Sequence, residues 1–225
     1  MERKFISLSS ILTILILYIV NQVIDPVYWV KNIIKWAVFA GAPFLYYKLL
    51  AAEGMGRLIQ LKKYKIRKRD LIISIGMGMI FFFTIIGTYW SLLPLIDSAY
   101  IVKTIEAQNS VTLPIALSVG VYVIVLNSFI EEFFFRGYVF LKLYEKGYKQ
   151  MAYVFSALLF ALYHIGIFQT WFNDQITFLA LVGLFMSGLG FAFLDRTSGT
   201  IIYSWVAHAI ADIALMLIAF QLIVI

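Results

Sequence analysis

Cysteine is absent from this chain. That excludes disulfides, thiolate metal ligands and a cysteine nucleophile. Charge is scarce: Asp, Glu, Lys and Arg make up 13% of the 225 residues, where a soluble domain carries roughly 25%. Histidine occurs only twice. Short apolar stretches that alternate with polar residues are not seen, so a membrane barrel is disfavoured. No internal repeat and no low-complexity segment interrupts the chain.

What is present is apolar. Hydrophobic residues account for 63% of the chain, and the mean hydropathy is +0.92. Several continuous apolar stretches reach about 20 residues, the length of a bilayer-crossing helix. Backbone groups in lipid must be satisfied within the segment, which selects helices. The expected fold is all-α, a polytopic transmembrane helix bundle, with residues 1–225 as a single membrane domain. Spans are expected at 5–24, 31–52, 71–95, 111–141, 151–171, 176–194 and 200–222. The opening "MERKFISLSSILTILILYIV" has the charge and apolar run of a signal peptide. It lacks a small-residue cleavage site and more spans follow, so it reads as a retained first helix. The fourth span is longer than a bilayer requires, which predicts tilt or emergence of its last turns.

Basic residues set the orientation. Arg57, Lys62, Lys63, Lys65, Arg67, Lys68 and Arg69 crowd the segment 53–70, and Lys142, Lys146 and Lys149 follow the fourth span. Arg3 and Lys4 precede the first span, and Arg196 follows the sixth. Between 96 and 110 there is only Lys103, and 172–175 holds no Lys or Arg. The alternation predicts the N-terminus inside and the C-terminus outside. The net charge of +6 is assigned to cytoplasmic loops and the lipid bilayer, not to nucleic acid, for which no soluble module is present. Lys31 and Lys35, at the start of the second span, are expected to snorkel to an interface.

Ionisable residues inside spans mark functional sites by default. Here they fall into three clusters. "EEFFFR" holds Glu131, Glu132 and Arg136; "FALYH" holds Phe160 and His164; "HAIAD" holds His208 and Asp212. Glu132 and Arg136 are four apart and can pair on one helix face, which offsets the cost of burying either charge. Glu131 points about 100° away around the helix and is left for chemistry. His208 and Asp212 are again four apart, with Ser204 on the same stripe. Each cluster alone is explained by a helix–helix hydrogen bond or a structural ion pair. Together they supply acid, base and donor groups.

The three clusters, in this order, resemble the EExxxR, FxxxH and HxxxN/D motifs of the CAAX protease and bacteriocin-processing family of intramembrane proteases, also called Abi or CPBP. The resemblance covers residues 120–217. It implies a glutamate-dependent endopeptidase. Glu131 would activate a water, His164 would help position it, and His208 and Asp212 would stabilise the tetrahedral oxyanion. Glu132 and Arg136 would hold the site together, with Phe160 packed nearby. Asp212 departs from the Asn of the prenyl-protein branch. A carboxylate donates to an oxyanion only when protonated, so the alternative roles for Asp212 are to orient His208 or to help bind a metal. Glu131, His164, His208 and Asp212 also form a conceivable Zn²⁺ ligand set. A metal-free scheme is favoured, because no HExxH spacing is present and the glutamate–water–histidine arrangement needs no ion.

Other intramembrane protease classes fit less well. HExxH and GxGD are both missing, and the residue two before Ser187 is Phe185 where a rhomboid GxSG needs Gly. "SGLGFAF", Ser187 to Phe193, reads as a small-residue packing surface. The expected partner is a membrane-associated peptide or protein: a bacteriocin, pheromone or leader peptide, or a prenylated CAAX tail. The expected site is in the cell membrane, opening toward the cytoplasm. The alternatives are a proton-coupled transporter, or a non-catalytic bacteriocin-immunity protein on the same scaffold.

Overall fold

The computed structural model describes residues 1–50, 66–109 and 113–224. The chain enters as α1 (Glu2–Ile19), which continues as a π-helical turn, Val20–Ile24. Asp25 then takes a left-handed conformation, φ 44°, and Pro26 follows it. Neither continues a helix, so the chain reverses into α2 (Tyr28–Leu49). Helix α3 (Lys68–Leu92) and the shorter α4 (Ser98–Asn109) come next.

The central element is α5. It begins at Leu113–Val121 and runs unbroken through π-helical Tyr122–Asn127, α-helical Ser128–Glu132, π-helical Phe133–Phe140 and α-helical Leu141–Glu145. Then come α6 (Lys149–Tyr163), with a short turn Ile165–Phe168, α7 (Asp174–Asp195) and α8 (Ile202–Val224). Among the described residues there is no strand.

Six of these helical stretches are long and apolar enough to cross a membrane: Glu2–Ile24, Lys68–Leu95, Ile115–Glu145, Lys149–Phe168, Asp174–Asp195 and Ile202–Leu222. The second expected span is α2, also 22 residues long. It differs from the others in carrying Lys31, Lys35 and Lys48. The protein is a polytopic helical bundle. Of the expected basic loop, Arg57, Lys62, Lys63 and Lys65 lie outside the described residues, whereas Arg67, Lys68 and Arg69 open α3.

Local chemistry places the turns. After α5, Gly147 adopts φ 88°. The Tyr148 amide donates to Leu143 O at 3.0 Å, and the Gly147 amide donates to Tyr144 O at 3.0 Å. This pair of bonds is a Schellman cap, which needs a left-handed residue at Gly147. It folds α6 back against α5. At the start of α7, Asn173 Oδ1 accepts from the Ile176 amide at 3.0 Å, an N-cap.

Buried side chains of α1, α2, α5, α6, α7 and α8 form one apolar cluster, with α5 at its heart. Every residue from Ile130 to Leu143 is buried. The π turns of α5 expose carbonyls that neighbours use. Ser156 Oγ on α6 donates to Phe135 O at 2.7 Å, and Trp205 Nε1 on α8 donates to Val125 O at 3.1 Å. π segments often mark functional regions because they free backbone groups in this way.

Small residues bring helices close. A Cβ on Gly188 would sit 2.9 Å from Ala157 Cα, so α6 and α7 touch backbone to backbone. Gly78 on α3 meets Ala207 on α8 in the same way, at 3.0 Å. Polar ties join helix ends. Glu2 Oε2 accepts from Tyr46 Oη at 2.8 Å and pairs with Lys146 Nζ at 2.6 Å. The start of α1 and the ends of α2 and α5 therefore lie at one end of the bundle.

Candidate active site

The long α5 carries Glu131 and Glu132, which are 2% and 0% exposed, and Arg136, fully buried. Burial of such groups demands partners. Glu132 Oε1 lies 3.1 Å from Arg136 Nη1, one helical turn on. The same oxygen accepts from His208 Nδ1 of α8 at 2.8 Å. Arg136 donates from Nη2 to Gly188 O on α7 at 3.4 Å. Its guanidinium lies over the rings of Phe160, 4.3 Å, and Phe191, 4.9 Å. Cation–π contacts of this kind are strongest away from water. One arginine thus binds α5, α6 and α7, and Glu132 adds α8.

Glu131 faces a different set of groups. Its Oε1 accepts from Asn127 Nδ2 at 2.9 Å. Its Oε2 accepts no hydrogen bond among the described residues. Two imidazoles approach that oxygen: His164 Nε2 at 3.9 Å and His208 Nε2 at 4.0 Å. Each ring is fixed through its other nitrogen. His164 Nδ1 is 2.7 Å from Phe160 O, and His208 Nδ1 is on Glu132. A carbonyl oxygen only accepts, so His164 Nδ1 carries the proton. Phe160 contributes its carbonyl, and its ring meets His208 edge-on at 5.6 Å. Phe191 stacks on His208, 5.1 Å between centroids.

Asp212 also reaches the group. Its Oδ1 lies 3.6 Å from His208 Nε2. The structure therefore brings Glu131, Glu132, Arg136, Phe160, His164, His208 and Asp212 into one cluster drawn from α5, α6 and α8. As to the metal alternative, no three His, Asp or Glu among the described residues are grouped to hold an ion. The set Glu131, His164, His208 and Asp212 does not form a ligand cage in this arrangement.

Three residues enter the site unannounced. Asn127 holds Glu131, as above; it lies four residues before Glu131, a spacing that signals a shared face. Asp195, fully buried at the end of α7, accepts the Ser204 amide on Oδ1 at 3.1 Å. It caps the start of α8 from another helix and so sets the height of His208. Lys35 is a correction. Lys31 does pair near the helix end, with Asp25 at 2.5 Å. Lys35 instead turns into the bundle and donates to Asn127 Oδ1. Asn127 of α5 offers it a part-buried acceptor.

No curated protein and no solved structure matches this chain. Residues 113–214 match the family model described as type II CAAX prenyl endopeptidase, Rce1-like. All three polar clusters fall within that stretch. Through that stretch the chain is similar to the CAAX prenyl endopeptidases, a family of membrane proteases.

Proposed function

We propose that the chain is an intramembrane endopeptidase in which Glu131 activates the attacking water. The observation that carries this reading is the approach of two separately anchored imidazoles to Glu131 Oε2, at 3.9 and 4.0 Å. Those separations exceed a direct hydrogen bond and suit a bridging water. The carboxylate would take a proton from that water as it attacks the peptide carbonyl. His164, with its proton on Nδ1, presents the Nε2 lone pair and would orient the water as an acceptor. His208 donates Nδ1–H to Glu132, so it must carry both protons to donate from Nε2 as well. In that form it supplies a donor to the tetrahedral oxyanion. Asp212 flanks the same nitrogen as an acceptor, which suits a residue that orients His208 better than one that donates. Glu131 would then deliver its proton to the leaving amine.

The substrate is a membrane-associated peptide or protein: a bacteriocin, pheromone or leader peptide, or a prenylated tail. The site opens toward the cytoplasm, with the N-terminus inside, as the basic segments indicate.

The test is quantitative peptidomics of cells and medium, native chain against Glu131→Gln at equal membrane abundance. Specific peptides or protein termini vanish in the variant if the reading holds, and they identify the substrate. An unchanged profile under conditions where the protein has a phenotype overturns it.

A further inference from the structure

Helix α2 lies outside the matched residues 113–214, yet it sends a lysine to the site. We propose that Lys35 and Asn127 form a directional relay that positions Glu131, with Lys35 acting as a positioning residue for the reaction. The inference rests on Glu131 being the base.

The direction of the relay follows from hydrogen-bond chemistry. An ammonium group only donates. Lys35 Nζ bonds one end of the Asn127 amide, so that end must be the carbonyl, Oδ1. The other end is then the NH₂ group, and it donates to Glu131 Oε1 at 2.9 Å. Lys35, which only donates, and the Glu131 carboxylate, which only accepts, both demand this orientation of the amide, and Lys35 anchors its far end. Flipped, it would turn a carbonyl on the carboxylate. With Lys35 in place, Oε1 is occupied and Oε2 is the oxygen left toward His164 and His208.

The local backbone supports the arrangement. Asn127 closes the π-helical stretch Tyr122–Asn127. The same face of α2 reaches that stretch at a second point: Tyr122 Oη donates to Asn32 Oδ1 at 2.9 Å and accepts from Trp36 Nε1 at 3.0 Å. The approach of Lys35 is therefore fixed by neighbours on both sides. A lysine that could instead extend toward water has been held against a neutral amide, one residue removed from a carboxylate.

Two measurements on the full-length chain test the relay. The first is steady-state turnover of the peptide identified by its loss in Glu131→Gln cells. Lys35→Met and Asn127→Leu each lower kcat on the order of tenfold or more, the scale of a misplaced reacting group, with KM little changed. The double variant is no slower than the worse single variant, because the two act as a unit. Lys35→Arg retains most of the rate. The second is the rate at which dicyclohexylcarbodiimide modifies Glu131 in membranes, read by mass spectrometry. The reagent must reach a carboxyl oxygen, and in the relay Asn127 Nδ2 occupies Oε1. Both single variants react severalfold faster per folded molecule, and Lys35→Arg reacts at the native rate.

Native turnover and labelling in Lys35→Met overturn the relay, as do additive losses in the double variant. If Lys35→Met fails to fold, Asn127→Leu alone must show both effects. An unchanged peptide profile in Glu131→Gln cells overturns the reading of Glu131 as the base instead, and the labelling rates still decide the relay.

Discussion

His208 Nδ1 donates to Glu132 Oε1 at 2.8 Å, and this bond joins helices α5 and α8 across 76 positions of sequence. Glu132 also pairs with Arg136 at 3.1 Å. A single buried carboxylate oxygen thus holds both a histidine of the candidate site and the arginine behind it. The adjacent glutamate, Glu131, turns toward a different set of partners. The two carboxylates stand in neighbouring positions but have different partners.

That division predicts opposite phenotypes. Glu131→Gln removes the proposed base and keeps the shape; activity is expected to fall by about 10²–10⁴-fold, with thermal stability in detergent near native. Glu132→Gln leaves Arg136 buried without its counter-charge, which costs about 3–5 kcal/mol. It is seen as a lowered unfolding temperature as well as lost turnover.

Arg136→Lys is expected to behave as a loss, not as a conservative change. A lysine retains the charge but cannot lie flat between Phe160 and Phe191 while reaching both Glu132 and Gly188 O. The loss of stability is about 1–3 kcal/mol, the scale of a charged hydrogen bond. Detergent melting curves of the two variants Arg136→Lys and Glu132→Gln, and of their double, measure how far the pair acts as one unit.

Glycine positions separate packing from propensity. Gly188→Ala places a methyl 2.9 Å from Ala157 Cα and 3.4 Å from Arg136 Nη2. The helices must part, at a cost of about 1–3 kcal/mol. Gly183→Ala, on the same helix, meets nothing within 4 Å and is expected to leave the melting temperature unchanged or slightly raised. Equal behaviour of the two would show that α6 and α7 are not in backbone contact.

Asp195→Ala removes the cap that α7 supplies to α8. The Ser204 amide then loses its acceptor, for a loss of about 1 kcal/mol or somewhat more. Because His208 lies on the next turn after Ser204, turnover is expected to fall as well. Asp195→Asn keeps an acceptor oxygen and restores most of both. Melting temperature and kcat measured side by side check this.

Much of the site was legible along single helices. Glu132 with Arg136, and His208 with Asp212, are four residues apart, and local helical geometry is enough to place such pairs on one face. The bundle architecture was legible too, because long apolar runs admit few structures in lipid. What spacing could not reveal is contact between helices. Nothing in the segment around Lys35 distinguishes a lysine that snorkels from one that turns inward; the acceptor that decides it, Asn127, is 92 positions away. Asp195 lies outside the three sequence clusters, and only the packing of the start of α8 against the end of α7 brings it to the Ser204 amide.

The sequence by itself determined the helices, their approximate order across the membrane, and the residue types available for chemistry, since these follow from hydrophobic run length and from the spacing of ionisable groups within one helix. Only the tertiary structure decided which oxygen of which glutamate meets which nitrogen. The π turns of α5, the close approach of α6 and α7 at Gly188, and the capping of α8 by Asp195 set the rotation and height of each helix. Hydrogen bonds are made or lost over a few tenths of an ångström. Helix rotation and height, which packing alone sets, therefore select the partners of Glu131 and Glu132.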